Sequence, residues 1–117
     1  MRLTKVVELL KNNNTFLISA HQNPEGDAIG SQLGMYHLLK QMKKRVYIYN
    51  HDPVPQNLQF LPGARHIKTD DPGRDFDVGI VLDCSDLSRL GSTKPAFERT
   101  KVLVNIDHHV SNTRFGD

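Results

Sequence analysis

Four short apolar runs constrain the fold more than any other feature of the 117-residue chain: "TFLISA" (15–20), "VYIYN" (46–50), "DVGIVLD" (77–83) and "KVLVNID" (101–107). Each reads as a strand; the first has too few polar residues for a strand with one wet face, and the third reads as buried on both sides. Helical patterns lie between them. Leu3, Val6, Val7 and Leu10 recur at helical spacing before "NNN" at 12–14, and Ile29, Leu33, Tyr36, Leu39 and Met42 form one stripe that starts near Asp27 and ends near "KKR". Residues 51–76 are rich in proline, glycine and aspartate and read as loops around a short helix at "NLQFLPGA", and "DLSRLG" (86–91) reads as a helical turn closed by glycine. Doubly buried strands alternating with helices predict an α/β domain: a three-layer α/β/α, Rossmann-like arrangement around a mainly parallel sheet.

Three of these runs lead straight into chargeable residues. The first is followed by "HQNPEGDAIGS", with His21, Glu25 and Asp27; the third delivers Asp83 and then "CSD"; the fourth delivers Asp107, His108 and His109. In an open parallel sheet the carboxyl ends of the strands share one edge, and ligands bind in the crevice there. Clusters distant in sequence are therefore expected to meet. Carboxylates brought together repel unless protons or cations neutralise them. A set of imidazoles and carboxylates favours Mn²⁺ or Mg²⁺, with Zn²⁺ or iron as alternatives. These residues are too many for one ion and suit two, the device used for hydrolysing phosphate esters, with Asp83 as the natural bridge. Gly26 and Gly30 are expected to permit a tight backbone path between ligands. The helix starting near Asp27 would point its first amides at the site.

Each cluster alone has a plainer reading: Asp27 as a helix cap, Asp83 as a turn residue, His21 as an exposed histidine. Lys40, Lys43, Lys44 and Arg45 read as complements to the negative end of a helix. Tyr36 and Phe60 read as core residues, and Cys84 as a small buried one. Arg89 pairs with Asp86 or contacts the site.

Composition narrows the function further. The net charge of +2 is too small for holding long nucleic acid by bulk electrostatics, so a phosphate-bearing substrate would need local chemistry. With a single cysteine no intrachain disulfide can form, and no apolar run approaches the length of a membrane span. A cytoplasmic protein without a membrane partner is the expectation. The absence of a G-x-G-x-x-G turn after the first strand ranks a plain dinucleotide-binding domain low.

"HQNPEGDAIGS", "VLDCSDLSRLG" and "NIDHHVSN" resemble, in order, the first three motifs of the DHH phosphoesterase superfamily, and the first looks most like that of the bacterial oligoribonuclease/pAp-phosphatase (nanoRNase) group. "NLQFLPGA" is similar to a stretch these proteins often carry between the first two motifs. The resemblance implies a Mn²⁺-dependent, two-ion hydrolase of short oligoribonucleotides or of 3′-phosphoadenosine 5′-phosphate (pAp), with Mg²⁺ or another divalent cation as substitutes. By position, it implies that His21, Glu25 and Asp83 hold one ion and that Asp27, Asp83 and His108 hold the other. His109 would lie near the substrate phosphate or leaving group, and Asp107 would orient the histidines. Ser31, Asp86 and Arg89 would support these ligands.

Two departures stand out. The family usually has aspartate where this chain has Glu25, and family members continue past the third motif to a fourth acidic motif and a C-terminal DHHA1 substrate-binding domain, neither of which lies in residues 1–117. The expectation is a partial DHH domain, a piece of a longer protein for which a homodimer is allowed. The alternatives are a non-catalytic nucleotide-sensing module with an incomplete metal site, a DHH-type pyrophosphatase and a cyclic-dinucleotide phosphodiesterase.

Overall fold

The computed structural model describes residues 3–21, 26–82 and 87–106. In chain order the elements are α1 (Leu3–Asn12), β1 (Thr15–Ala20), α2 (Gly26–Gln41), β2 (Arg45–Tyr49), β3 (Ile67–Lys68), β4 (Val78–Leu82), α3 (Lys94–Glu98) and β5 (Val102–Ile106). Short 3₁₀ turns at Gln56–Leu58 and Ala64–His66 occupy the β2–β3 connection, and a 3₁₀ segment, Leu87–Thr93, precedes α3. The sheet order is β3-β2-β1-β4-β5 with every pair parallel. The chain moves outward from β1 on one side and returns on the other. The strand order therefore reverses between β1 and β4, which is where ligands bind in such sheets.

The two central runs are buried as their composition requires, whereas β2 and β5 are buried only in part. Phe16, Leu17, Ile18 and Ala20 of β1 are buried, as are all five residues of β4. One face of the sheet packs Phe16, Ile18, Ile48 and Ile80 against Leu10 of α1 and Ile29, Leu33 and Leu39 of α2. The other packs Leu17, Tyr49 and Val81 against Leu90, Ala96 and Phe97. Burial of each such side chain contributes about 2 kcal/mol, so both layers are anchored by the central strands. On the second face α3 comes close because β4 has glycine at position 79. A Cβ built there would stand 3.0 Å from both Phe97 Cδ1 and Thr100 Cγ2.

The expected strands and long helices are present, shifted by a residue or so, with three corrections. Phe60, expected in the core, is 77% exposed, because "NLQFLPGA" forms turns that bury Ala64 and leave the aromatic ring outside. Val7 is exposed although it belongs to the apolar set of α1. Gly26 and Gly30 are residues of α2 without positive φ, and no described atom lies within 4 Å of a Cβ placed on either.

The basic cluster finds a use close to the expected one. Lys43 adopts a left-handed φ of 62°, and the amides of Lys43 and Lys44 donate to the carbonyls of Lys40 and Leu39, closing α2 in a Schellman turn. Lys44 Nζ donates to the Lys11 carbonyl at the end of α1, 3.0 Å away, placing a cation at that helix's negative end.

At the amino end of the sheet Asp77 ties three strands together. Its Oδ2 accepts the amides of Asn14 and Thr15 at 3.2 and 3.3 Å, its own amide donates to Thr15 Oγ1, and its carbonyl accepts from Val102. The Asn14 amide foremost, then Thr15 and Lys101, holds the Asp77 carboxyl below its ordinary value of 3.8. A carboxyl depressed in the folded state adds stability above its unfolded pKa, and that stability is lost as pH falls through the folded value. Asp77→Asn should therefore lower stability by about 1 kcal/mol at neutral pH and flatten the acid limb. Urea midpoints of both proteins from pH 7 down to pH 3 check this, and parallel profiles would contradict it.

Candidate metal and phosphate site at the carboxyl edge

The register of the sheet brings the three motif-bearing strands to a common end. Ala20 of β1 pairs with Leu82 of β4, and Leu82 pairs with Ile106 of β5. Adjacent strands lie about 4.8 Å apart, so these three termini form one short row. The residues next in sequence are His21, Asp83 and Asp107. His21 is half-buried at the tip of β1. Glu25, Asp83, Asp86, Asp107, His108 and His109 lie outside the described residues, as does Cys84.

The described candidates lie on the elements that follow β1 and β4. Asp27 is exposed in the first turn of α2, which begins one residue earlier at Gly26; it is thus inside the helix and is not its cap. Ser31 follows four residues later, also exposed, so the two share a helix face. Arg89 is exposed in the segment after β4. Among the described residues no three histidine, cysteine, aspartate or glutamate side chains are grouped closely enough to hold an ion. The described structure thus brings the carrying strand ends together, with His21 at the tip of β1 and Asp27 in the first turn of α2. A cleft of about 320 Å³ lined by Pro53, Val54, Gln59, Ala64, Arg65 and Ile67 contains none of the expected ligands.

Polar burial beneath this edge is the feature that sequence reasoning missed. Ser19, Gln32 and Asn50 are fully buried. Gln32 Nε2 donates to Asn50 Oδ1, Asn50 Nδ2 returns a bond to Gln32 Oε1 at 3.0 Å, and Ser19 Oγ donates to Asn50 Oδ1 at 3.2 Å. The amide pair fixes α2 against the ends of β1 and β2, so the first turn of α2, with Asp27, is held relative to the strand row. Gln32 does lie one position before Leu33 in the helical stripe, the only hint the sequence offers. On the opposite face His51 Nδ1 accepts the amide of Ser92 at 2.9 Å. In β5, Asn105 Oδ1 is buried and has no donor among the described residues. A buried acceptor one residue before the end of the row, together with donors of hard-ion type in the flanking motifs, fits an edge built for cations and their polar ligands.

Known proteins share this arrangement. Residues 15–116 match the DHH family, N-terminal domain. The chain is 40% identical to the bifunctional oligoribonuclease and PAP phosphatase NrnA of Thermus thermophilus, over 99% of this chain and 34% of that protein. It is 24% identical to the NrnA of Bacillus subtilis, over 97% of this chain and 35% of the relative. Among solved structures, an exopolyphosphatase-related protein from Bacteroides fragilis superposes with a TM-score of 0.88 at 27% identity, over 97% of this chain and 36% of that one. The chain thus spans about a third of the length of these relatives. With motif order, strand order and family match in agreement, the chain belongs to the DHH family and carries its N-terminal domain.

Proposed function

We propose that this chain forms the ion-binding part of a cytoplasmic phosphoesterase that hydrolyses short oligoribonucleotides, pAp, or both. The observation that carries the reading is the common end of β1, β4 and β5, from which all three motifs depart. His21, Glu25 and Asp83 would hold one cation, and Asp27, Asp83 and His108 the other, with Mn²⁺ the preferred ion. Such a pair, when bound, neutralises phosphoryl charge and activates water.

The chain's own residues do the rest. Asp27 and Ser31 stand on the first turns of α2, whose free amides favour an anion at that end. The Gln32–Asn50 pair keeps that helix end aligned with the strand row. His109, in this reading, sits by the leaving group and Asp107 orients the histidines. Arg89, on the segment after β4, supplies a cation for substrate phosphate. The NrnA relatives are named for oligoribonuclease and PAP phosphatase activities, which supports nucleotide substrates over other phosphate esters. A small net charge suits substrates of a few nucleotides, since little backbone has to be neutralised.

The test is hydrolysis of pAp, a dinucleotide and pyrophosphate with added Mn²⁺, with Asp83→Ala as the control. Turnover of either nucleotide, abolished by Asp83→Ala, supports the reading. Turnover of pyrophosphate alone would move the chain to the pyrophosphatases, and tight nucleotide binding without turnover would mark a sensing module.

A further inference from the structure

We propose that His51 is a substrate-binding residue whose Nε2–H donates to a phosphoryl oxygen of the nucleotide at the carboxyl edge of the sheet. The inference rests on the phosphoesterase reading above and adds to it a residue that lies in none of the three motifs.

His51 follows Tyr49 by two residues at the tip of β2, and β2 is the immediate neighbour of β1, whose tip is His21. The residues at this tip alternate between the two faces. Asn50 bonds Gln32 of α2 on one side, and His51 reaches the Leu87–Thr93 segment on the other. That segment leaves the end of β4, contacts β1 and meets the tip of β2, so it borders the crevice at the switch point.

The Ser92 amide can only donate, and it does so to His51 Nδ1 at 2.9 Å. Ser92 Oγ lies 3.0 Å from the same nitrogen. Nδ1 is therefore an acceptor, and the proton of the neutral ring must sit on Nε2. Ser92 is presented by Gly91, whose backbone (φ 63°, ψ −132°) breaks the helical path and suits no L side chain. A ring held through one nitrogen, half-buried, and carrying its proton on the other is a prearranged neutral donor.

Carboxylate ligands and the exposed backbone carbonyls at a parallel sheet's carboxyl edge are acceptors, so a directed N–H there serves an incoming acceptor. Phosphoryl oxygens are the strongest acceptors a nucleotide offers, and hydrogen bonds to ionised oxygens are about twice as strong as neutral ones.

Two isosteres separate donation from bracing. His51→Asn keeps an oxygen near the Nδ1 position for the Ser92 amide and removes the distal donor. His51→Gln keeps a donor near Nε2 and removes the proximal acceptor. Affinity for pAp with Mn²⁺, measured by calorimetry alongside the melting temperature, should fall about tenfold in His51→Asn without a matching loss of stability. His51→Gln should retain most of the affinity even though it melts lower. Equal pAp affinity in His51→Asn and the unaltered protein would overturn the role of His51 and leave the phosphoesterase reading standing. Affinity that simply tracks melting temperature would also overturn it, reducing His51 to a brace. No pAp uptake by the unaltered protein in the presence of Mn²⁺ would overturn the reading itself and this inference with it.

Discussion

Replacing Gly79 by valine should destabilise the domain by about 3 kcal/mol, lowering Tm by about 10 °C. Gly79 is the second residue of β4, flanked in register by Leu17 of β1 and Leu103 of β5, so the strand cannot move aside without disturbing both neighbours. A Cβ at this position already stands 3.0 Å from Phe97 Cδ1 and from both branches of Thr100. Phe97 is almost wholly buried, and Thr100 Oγ1 donates to the Phe97 carbonyl at 2.8 Å, so neither can swing clear cheaply. Valine adds two further carbons into that contact. Alanine, needing a few tenths of an ångström from its neighbours, should cost about 1 kcal/mol. Thermal melts of the three proteins read this order directly. A valine variant that melts with the unaltered protein would mean that α3 does not pack on β4 as described.

Asn50→Ala should have an effect of similar size for a different reason. The substitution removes the partner of a fully buried glutamine, leaving an amide donor and an amide acceptor without their bonds, while the Ser19 hydroxyl keeps the Ala20 carbonyl 3.2 Å away as its acceptor. Buried polar groups stranded in this way cost about 1–3 kcal/mol each, and some of that is relieved by water entering the space, so a loss of about 3 kcal/mol is expected. Gln32→Leu should be similarly harmful. The double variant Gln32→Leu, Asn50→Leu should be less destabilised than the two single effects added together, because the stranded groups disappear as a pair. Urea denaturation of the four proteins forms the cycle. Additive losses would show that the two amides do not act as a unit.

The two cases also show what the amino-acid string displays and what it hides. Runs such as "TFLISA" and "DVGIVLD" are readable because a strand covered on both faces must be apolar throughout, and the α2 stripe because Ile29, Leu33, Tyr36 and Leu39 meet one side of the sheet. The two-residue β3 is not readable. Ile67 alone is buried there, and the strand exists only because β2 offers a free edge in register. The five residues of α3, with proline in the first turn, are too few to show a period. Phe60 misleads because hydrophobicity predicts burial only when the local chain turns the residue inward, and here the turns bury Ala64 instead. Gln32 and Asn50 are eighteen residues apart and become a pair only in three dimensions.

The candidate site divides in the same way. Its expected location at the carboxyl edge follows from strand pattern plus motif position, and the register sets Ala20, Leu82 and Ile106, the strand ends that precede the motifs, side by side. Asp27 illustrates the finer limit. Its side chain is read from sequence as a helix cap or a ligand, and only the observed start of α2 at Gly26 removes the first option. His51 carried no sequence signal at all, since its assignment depends on which backbone amide it meets.

The most direct measurement is Mn²⁺ binding, counted by electron paramagnetic resonance of free ion, for the unaltered protein and for Asp83→Asn. Gathering of the three motifs around a shared ion pair requires about two ions per chain, and loss of most of that binding when the shared carboxylate becomes an amide. Identical Mn²⁺ uptake by the two proteins, or none by either, would contradict it.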